Sequence, residues 1–213
     1  MSATTTLSTP AATRAGARGW LALGVLMLPT LLVSVDNTVL SFALPAISEA
    51  LKPSATGMLW IVDVYPLVLA GLLVAMGSLG DRIGRRRLLL IGATGFAAVS
   101  AVAAFAPTAE LLIAARAALG VFGAMLMPST LSLLRGVFAD REQRRLAIAI
   151  WSSGFAAGSA LGPIVGGLLL EHFWWGSVFL LAVPVLIPLL VLAPLLVRES
   201  RDPAPGPVDV PGI

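Results

Sequence analysis

The 213 residues contain no cysteine, one tyrosine and one histidine, and only 12 % of them carry charge. Without cysteine there can be no disulfides, thiolate metal sites or cysteine nucleophiles, and the redox compartment is left undetermined. The histidine, His172, stands beside Glu171, away from any buried nucleophile, and no Gly-x-Ser-x-Gly run occurs. Hydrolytic chemistry therefore has no footing. Nor is there a Gly-x-x-x-x-Gly-Lys-Ser/Thr run, so ATP is not expected to supply energy. No cofactor and no bound metal are expected either. What the chain has in place of charge is apolar surface: 58 % of its residues are hydrophobic. They fall in runs of about twenty residues, the length that crosses a bilayer, and the runs are apolar all round rather than on one face. The solvent these residues suit is lipid.

Six spans are expected, at about Trp20–Leu44, Gly57–Gly80, Leu88–Ala106, Leu111–Val137, Leu146–Leu170 and Val178–Val197. The segment before them, residues 1–18, is rich in Ser, Thr and Ala and reads as disordered; residues 199–213, rich in Pro and Asp, read as a linker. The first run is too long for a signal peptide and carries Asp36, so it counts as a span. Twelve of the fourteen positive residues fall before the first span, or at and beyond the ends of the second, fourth and sixth. By the positive-inside rule those loops and both ends of the segment are cytoplasmic, in a cell inner membrane or plasma membrane. The same clusters account for the sequence pI of about 10.5. Topology charges explain it better than nucleic acid, which is not expected as a partner.

Three ionisable residues lie well inside the apolar runs, away from their ends: Asp36, Asp63 and Arg116. Each costs at least about 2.5 kcal/mol to place at the centre of a membrane helix. Counting inward along the spans puts all three at depths where they could meet. Arg116 would then hold one carboxylate ionised, and the other, drier one could bind and release protons. The alternative is a static bridge that fixes helix packing. The turn Gly77-Ser78-Leu79-Gly80-Asp81-Arg82-Ile83-Gly84-Arg85-Arg86-Arg87 joins spans two and three. Gly80 and Gly84 would let helix ends approach, and a helix N-terminus would hold Asp81 as half of a conformational switch. Here the plainer alternative is that the arginines merely enforce topology. In span five, Gly154, Gly158, Gly162 and Gly166 recur every four residues, with Pro163 and Gly167 inserted. Such a stripe is a close-packing seam with a kink, and either a gate or plain packing would use it. Asn37, Tyr65, Met125, Met127, Trp60 and Trp151 are the candidates for lining an apolar cavity.

Together these motifs resemble the major facilitator superfamily over Trp20 to about Asp202. The Gly77–Arg87 turn resembles its signature loop, Arg116 with Gly120 and Gly123 its fourth-helix motif, and Gly154–Gly167 its fifth-helix antiporter motif. Val35-Asp36-Asn37-Thr38-Val39 with Ala43-Leu44-Pro45 is similar to the first-helix motif of the fourteen-helix drug:proton antiporters. Leu59–Tyr65 and Leu170–Phe179 resemble the QacA/SmvA branch of that family. One departure is Leu181-Ala182-Val183-Pro184, where many relatives carry an asparagine.

The resemblance implies an all-α membrane protein whose six transmembrane helices, within residues 19–198, form the N-terminal bundle of a major facilitator fold. It also implies a linker that leads toward a second half. It makes Asp36 and Arg116 the proton-coupling pair, Asp63 a cation-recognising or second proton-binding carboxylate, and Asn37 and Tyr65 substrate contacts. Gly77, Gly80, Asp81, Arg82 and Gly84, with Gly154, Gly158, Gly162, Pro163, Gly166 and Gly167, become the gate. The expected activity is multidrug:proton antiport. Its expected partners are lipophilic cationic small molecules, protons, the bilayer and the remaining C-terminal helices of the same transporter. On the residues alone a proton-coupled symporter, or a fragment that does not transport, stays open. An ion channel would want a selectivity filter or a voltage-sensing helix, and neither is visible.

Overall fold

The computed structural model describes residues 14–201, which form helices without strands. The expected disorder before Arg14 and the linker beyond Arg201 lie outside the described residues. Seven helices follow one another: α1 (Ala17–Leu51), α2 (Ala55–Ile83), α3 (Arg85–Ala104), α4 (Ala109–Val137), α5 (Arg141–His172), α6 (Ser177–Leu180) and α7 (Ala182–Leu196). Six are long and apolar enough to cross a membrane when α6 and α7 are taken as one span.

The starts are written locally. Ser54, Thr108 and Asp140 each turn a side-chain oxygen onto a backbone N–H three residues on, satisfying an orphan donor of α2, α4 and α5. Several helices outrun the apolar stretches. α1 continues through Pro45 to Leu51 and stops at Lys52, whose φ of 46° is left-handed, just before Pro53. α5 begins at Arg141 rather than Leu146. Hydropathy marks the stretch that lipid covers, whereas backbone hydrogen bonding continues beyond it. At about 1.5 Å per residue the 35 residues of α1 exceed a hydrocarbon core of about 30 Å. The sixth span breaks at Leu181 because Pro184 has no N–H to give the Leu180 carbonyl.

At the N-terminal edge the expectation of disorder up to residue 18 is corrected. Ala15 donates its N–H to Gln143 Oε1 at 2.7 Å and accepts from Gln143 Nε2 at 3.3 Å, and α1 starts at Ala17. The two-point amide clasp gives this backbone a fixed partner on α5.

α4 is packed against both α2 and α3, while α1 packs chiefly along α5 and also touches α4 and α7. The α1/α5 seam is made by the glycine stripe. A Cβ at Gly158 would lie 2.6 Å from Ser34 Cβ, one at Gly166 would lie 2.8 Å from Val39 Cγ2, and one at Gly162 would overlap Thr38. Gly154 packs more loosely: a Cβ there would lie 3.4 Å from Thr30 Cγ2. Ser34 Oγ crosses the seam, donating to the Phe155 carbonyl at 2.7 Å. Gly167 and Pro163 are not part of it. Both are exposed on α5, and nothing approaches a Cβ at Gly167.

Candidate functional site

Arg116 is the largest fully buried side chain, at 0 % exposure. Its place is set by close approach of α4 to α2: a Cβ at Gly120 would meet the Tyr65 carbonyl oxygen and Val68 Cβ, each at 2.8 Å. With the backbones this near, Arg116 Nε donates to the Ile61 carbonyl at 3.1 Å. Nη1 donates to Asp36 Oδ2 at 2.6 Å, an ion pair closed from solvent on both sides. The guanidinium lies over the Tyr65 ring, 4.6 Å from its centroid, a favourable seat for a cation. Phe96 meets the same ring edge-on at 6.4 Å. A charge that would be costly alone is thus matched by one carboxylate, one carbonyl and one aromatic face.

The structure brings Asp36 and Arg116 together but leaves Asp63 out. Asp63 is exposed on α2 and lines a separate cleft of about 290 Å³ with Pro66 and Leu67. The expected trio is therefore a pair. Helical spacing decides it: Ile61 and Tyr65 share the face of α2 that meets Arg116, and Asp63, two residues from each, is turned away.

A larger cavity of about 620 Å³ opens between α1, α2, α4 and α5. Asn37, Tyr65, Met127 and Trp151 line it, as expected, whereas Trp60 and Met125 do not. Met125 sits against α3, where its Cβ would be 2.9 Å from a Cβ at Gly92. Pro66 and Pro128 face the cavity from α2 and α4, and Phe155 stands edge-on to Trp151 at 5.6 Å. Phe155 was missed because it lies between the seam glycines Gly154 and Gly158 and reads as packing. Tyr65 belongs to both places, as cavity wall and as the ring beneath Arg116. Pro66 lines both the cavity and the Asp63 cleft.

At the arginine-rich end, Gly84 closes α2 and opens α3 with φ of 107°, a conformation side chains resist. Asp81 is paired with Arg85 across this turn, Arg82 lies in the last turn of α2, and a Cβ at Gly80 would lie 3.2 Å from Leu88 Cδ2. A Cβ at Gly77 would only touch Pro128 Cβ, at 3.7 Å. The carboxylate at the start of α3 is not the expected Asp81. It is Glu199, which accepts from the N–H groups of Arg86 at 2.9 Å and Arg87 at 3.2 Å. A Cβ on Gly84 would lie 2.8 Å from Glu199 Cδ. Arg85 N–H donates to the Ser200 carbonyl at 3.0 Å, and the Arg86 guanidinium donates to the Pro194 and Val197 carbonyls, each at 3.2 Å. An acid two residues after the last apolar run was the available signal for Glu199.

The sequence model of the Major Facilitator Superfamily matches residues 26–212. The chain belongs to the major facilitator superfamily. This facilitator chain is 74 % identical over 201 residues to the multidrug efflux pump LfrA of Mycolicibacterium smegmatis, covering 94 % of the chain and 40 % of that protein. It is 46 % identical over 170 residues to the methyl viologen resistance protein SmvA of Salmonella typhimurium, covering 80 % and 34 %. The tetracenomycin C resistance and export protein of Streptomyces glaucescens is 38 % identical over 206 residues, covering 96 % and 38 %. The chain thus spans about two fifths or less of the length of these relatives. Membership and the six apolar helices make it a multi-pass membrane protein.

Proposed function

We propose that the chain is the first six-helix bundle of a proton-driven exporter of lipophilic cationic drugs. The observation that carries this reading is the sealed Asp36–Arg116 pair beneath Tyr65, whose ring is also a wall of the 620 Å³ cavity. A proton reaching Asp36 neutralises the carboxylate and frees Arg116 from its charge partner. The guanidinium then shifts against Tyr65, so protonation and occupancy of the cavity act on one ring. Drug and proton thereby become competitors, as antiport requires. Aromatic walls from Tyr65, Trp151 and Phe155 suit flat lipophilic cations. Asp63, in the neighbouring cleft that shares Pro66 with this cavity, serves as the carboxylate that attracts the cation.

The wider reading follows from the relatives. The second bundle covers the exposed apolar faces of α2 and α5, the two least covered helices. The Gly77–Gly84 turn with Asp81 and Arg82, together with the α5 glycine ladder and Pro163, forms the gate between bundles. The arginine-rich end faces the cytoplasm, and the membrane is the cell inner or plasma membrane. The test is a chimaera in which this chain replaces the matching 201 residues of the M. smegmatis pump. Cells expressing it should expel ethidium, a protonophore should stop them, and Asp36→Asn should abolish export while the protein still inserts. Normal export by the Asp36→Asn chimaera would refute the coupling assignment.

A further inference from the structure

A second cavity, of about 430 Å³, lies at the arginine-rich end, where the start of α1 meets the ends of α4 and α7. Leu133, Val137, Leu196 and Val197 give it an aliphatic wall, and Arg18 and Arg198 line it with positive charge. Arg18 donates to the Leu195 carbonyl, a neutral acceptor that holds the side chain against α7 without cancelling its charge. Its other N–H donors remain available. Arg198 is exposed and has no ion pair or hydrogen bond among the described residues, so its guanidinium is free to turn toward an anion that enters. Glu199 also lines the cavity, but its carboxylate is occupied: the N–H groups of Arg86, Arg87 and Ser200 donate to it at 2.9, 3.2 and 3.1 Å. The other described acids at this end are engaged as well, Asp81 with Arg85, Asp140 with the Gln143 N–H and Glu142 with Arg145. No described carboxylate is left to balance the two arginines of the cavity. Trp20, next to the wall residue Gly19, packs edge-on against Phe138 at 5.1 Å. Tryptophans of membrane helices gather at headgroup level, which puts this cavity at the depth of lipid phosphates.

We propose that this cavity holds the headgroup of an anionic phospholipid from the leaflet at the arginine-rich end, with Arg18 and Arg198 on its phosphate and the aliphatic wall against its glycerol and first acyl carbons. Guanidinium groups take phosphate oxygens through charge-assisted hydrogen bonds, and basic pockets between membrane helices suit anionic headgroups. A free phosphate would use the arginines and leave the aliphatic wall bare, whereas a lipid uses both. A zwitterionic lipid carries a cation of its own into the same space, where the arginines repel it. The occupant is therefore an anionic lipid. This cavity shares no wall residue with the 620 Å³ cavity, so the proposal stands apart from the drug reading.

The experiment titrates the chain in detergent micelles with phosphatidylglycerol and phosphatidylcholine that carry the same pyrene-labelled acyl chain, read by energy transfer from tryptophan. Wild type should hold phosphatidylglycerol about twenty-five-fold more tightly, about fivefold from each arginine. Arg18→Gln and Arg198→Gln should each weaken phosphatidylglycerol about fivefold and leave phosphatidylcholine within about twofold, the second result showing that the variant is folded. Arg198→Lys, which keeps the charge, should recover part of the loss. Arg141→Gln, at the start of α5 and outside the cavity, should change neither affinity. Equal affinity of wild type for the two lipids overturns the proposal. So does a loss in Arg141→Gln as large as that in Arg198→Gln, since diffuse charge rather than a site would then be at work. Inorganic phosphate and glycerol 3-phosphate, added as competitors, should not displace the labelled lipid; displacement would assign the arginines to a free anion and overturn the lipid as occupant.

Discussion

Arg116 holds one carboxylate, one carbonyl and one ring at once. Removing one member of a buried ion pair leaves the other uncompensated at a cost of about 3–5 kcal/mol, whereas replacing both with apolar residues costs far less. Arg116→Met should therefore destabilise the bundle by about that amount, and Asp36→Leu added to it should restore most of the loss. Denaturant titration of the micelle-bound chain, followed by far-ultraviolet circular dichroism, measures both. Asp63 makes no ion pair among the described residues, so its replacement should leave stability nearly unchanged. In the chimaera, Asp63→Asn should depress export of dicationic substrates and spare neutral ones. Equal export of both would remove its recognition role. The expense of charge in apolar runs is what singled out these three residues in the sequence. Which two of them meet was not, because it depends on the rotation of α2 about its axis, a quantity that depth along the helix does not contain.

The long helices owe their mutual placement to missing side chains. On α5 the stripe Gly158, Gly162 and Gly166 lies against Ser34, Thr38 and Val39 of α1, the stretch that bears Asp36. Whatever moves α5 along this seam presses on the backbone beside the buried pair. Gly158→Val forces methyl groups into a space already occupied at 2.6 Å and should cost at least about 1–3 kcal/mol. Gly167→Ala, on the open side of the same helix, should be neutral or raise stability by up to about 1 kcal/mol through helix propensity. Thermal unfolding midpoints of the two variants separate a seam from a generic need for glycine. The repeat of four announced the stripe in the sequence, but not that α1 is its mate or that Gly167 and Pro163 stand apart from it. Helix ends were the least legible feature, since hydropathy falls off at the lipid boundary while capping at Ser54, Thr108 and Asp140 acts beyond it.

At the scale of the molecule, the bundle is well packed around α4 and bare along α2 and α5. The bare side includes Leu67 at 61 % and Ile164 at 60 % exposure, with Asp63 among such residues on α2. Rocking of one bundle against another around a central site is how facilitators of this architecture expose that site alternately to the two sides of a membrane. The chain expressed by itself should therefore give no protonophore-sensitive ethidium efflux, while the chimaera does. Efflux from the short chain would mean that two copies suffice for the cycle. The six-helix architecture could be read from composition and run length because lipid leaves the backbone few choices. The cavity could not, since Met127 and Met125 look alike until the packing of α4 between α2 and α3 sends them to different sides.

The grip of Glu199 on the first turn of α3 makes the stretch from Val197 to Ser200 a ruler. One end is fixed by the last turn of α7 and the other by the Arg85, Arg86 and Arg87 amides, so the spacing tolerates no slack. A single residue inserted after Val197 should pull the carboxylate off its donors, speeding hydrogen exchange at those amides without touching the ion pair deep in the bundle. Any segment that continues from Ser200 then starts from a fixed point and a fixed direction. A pull on it would be felt first at Gly84, the residue that joins α2 to α3, rather than lost along a loose tether.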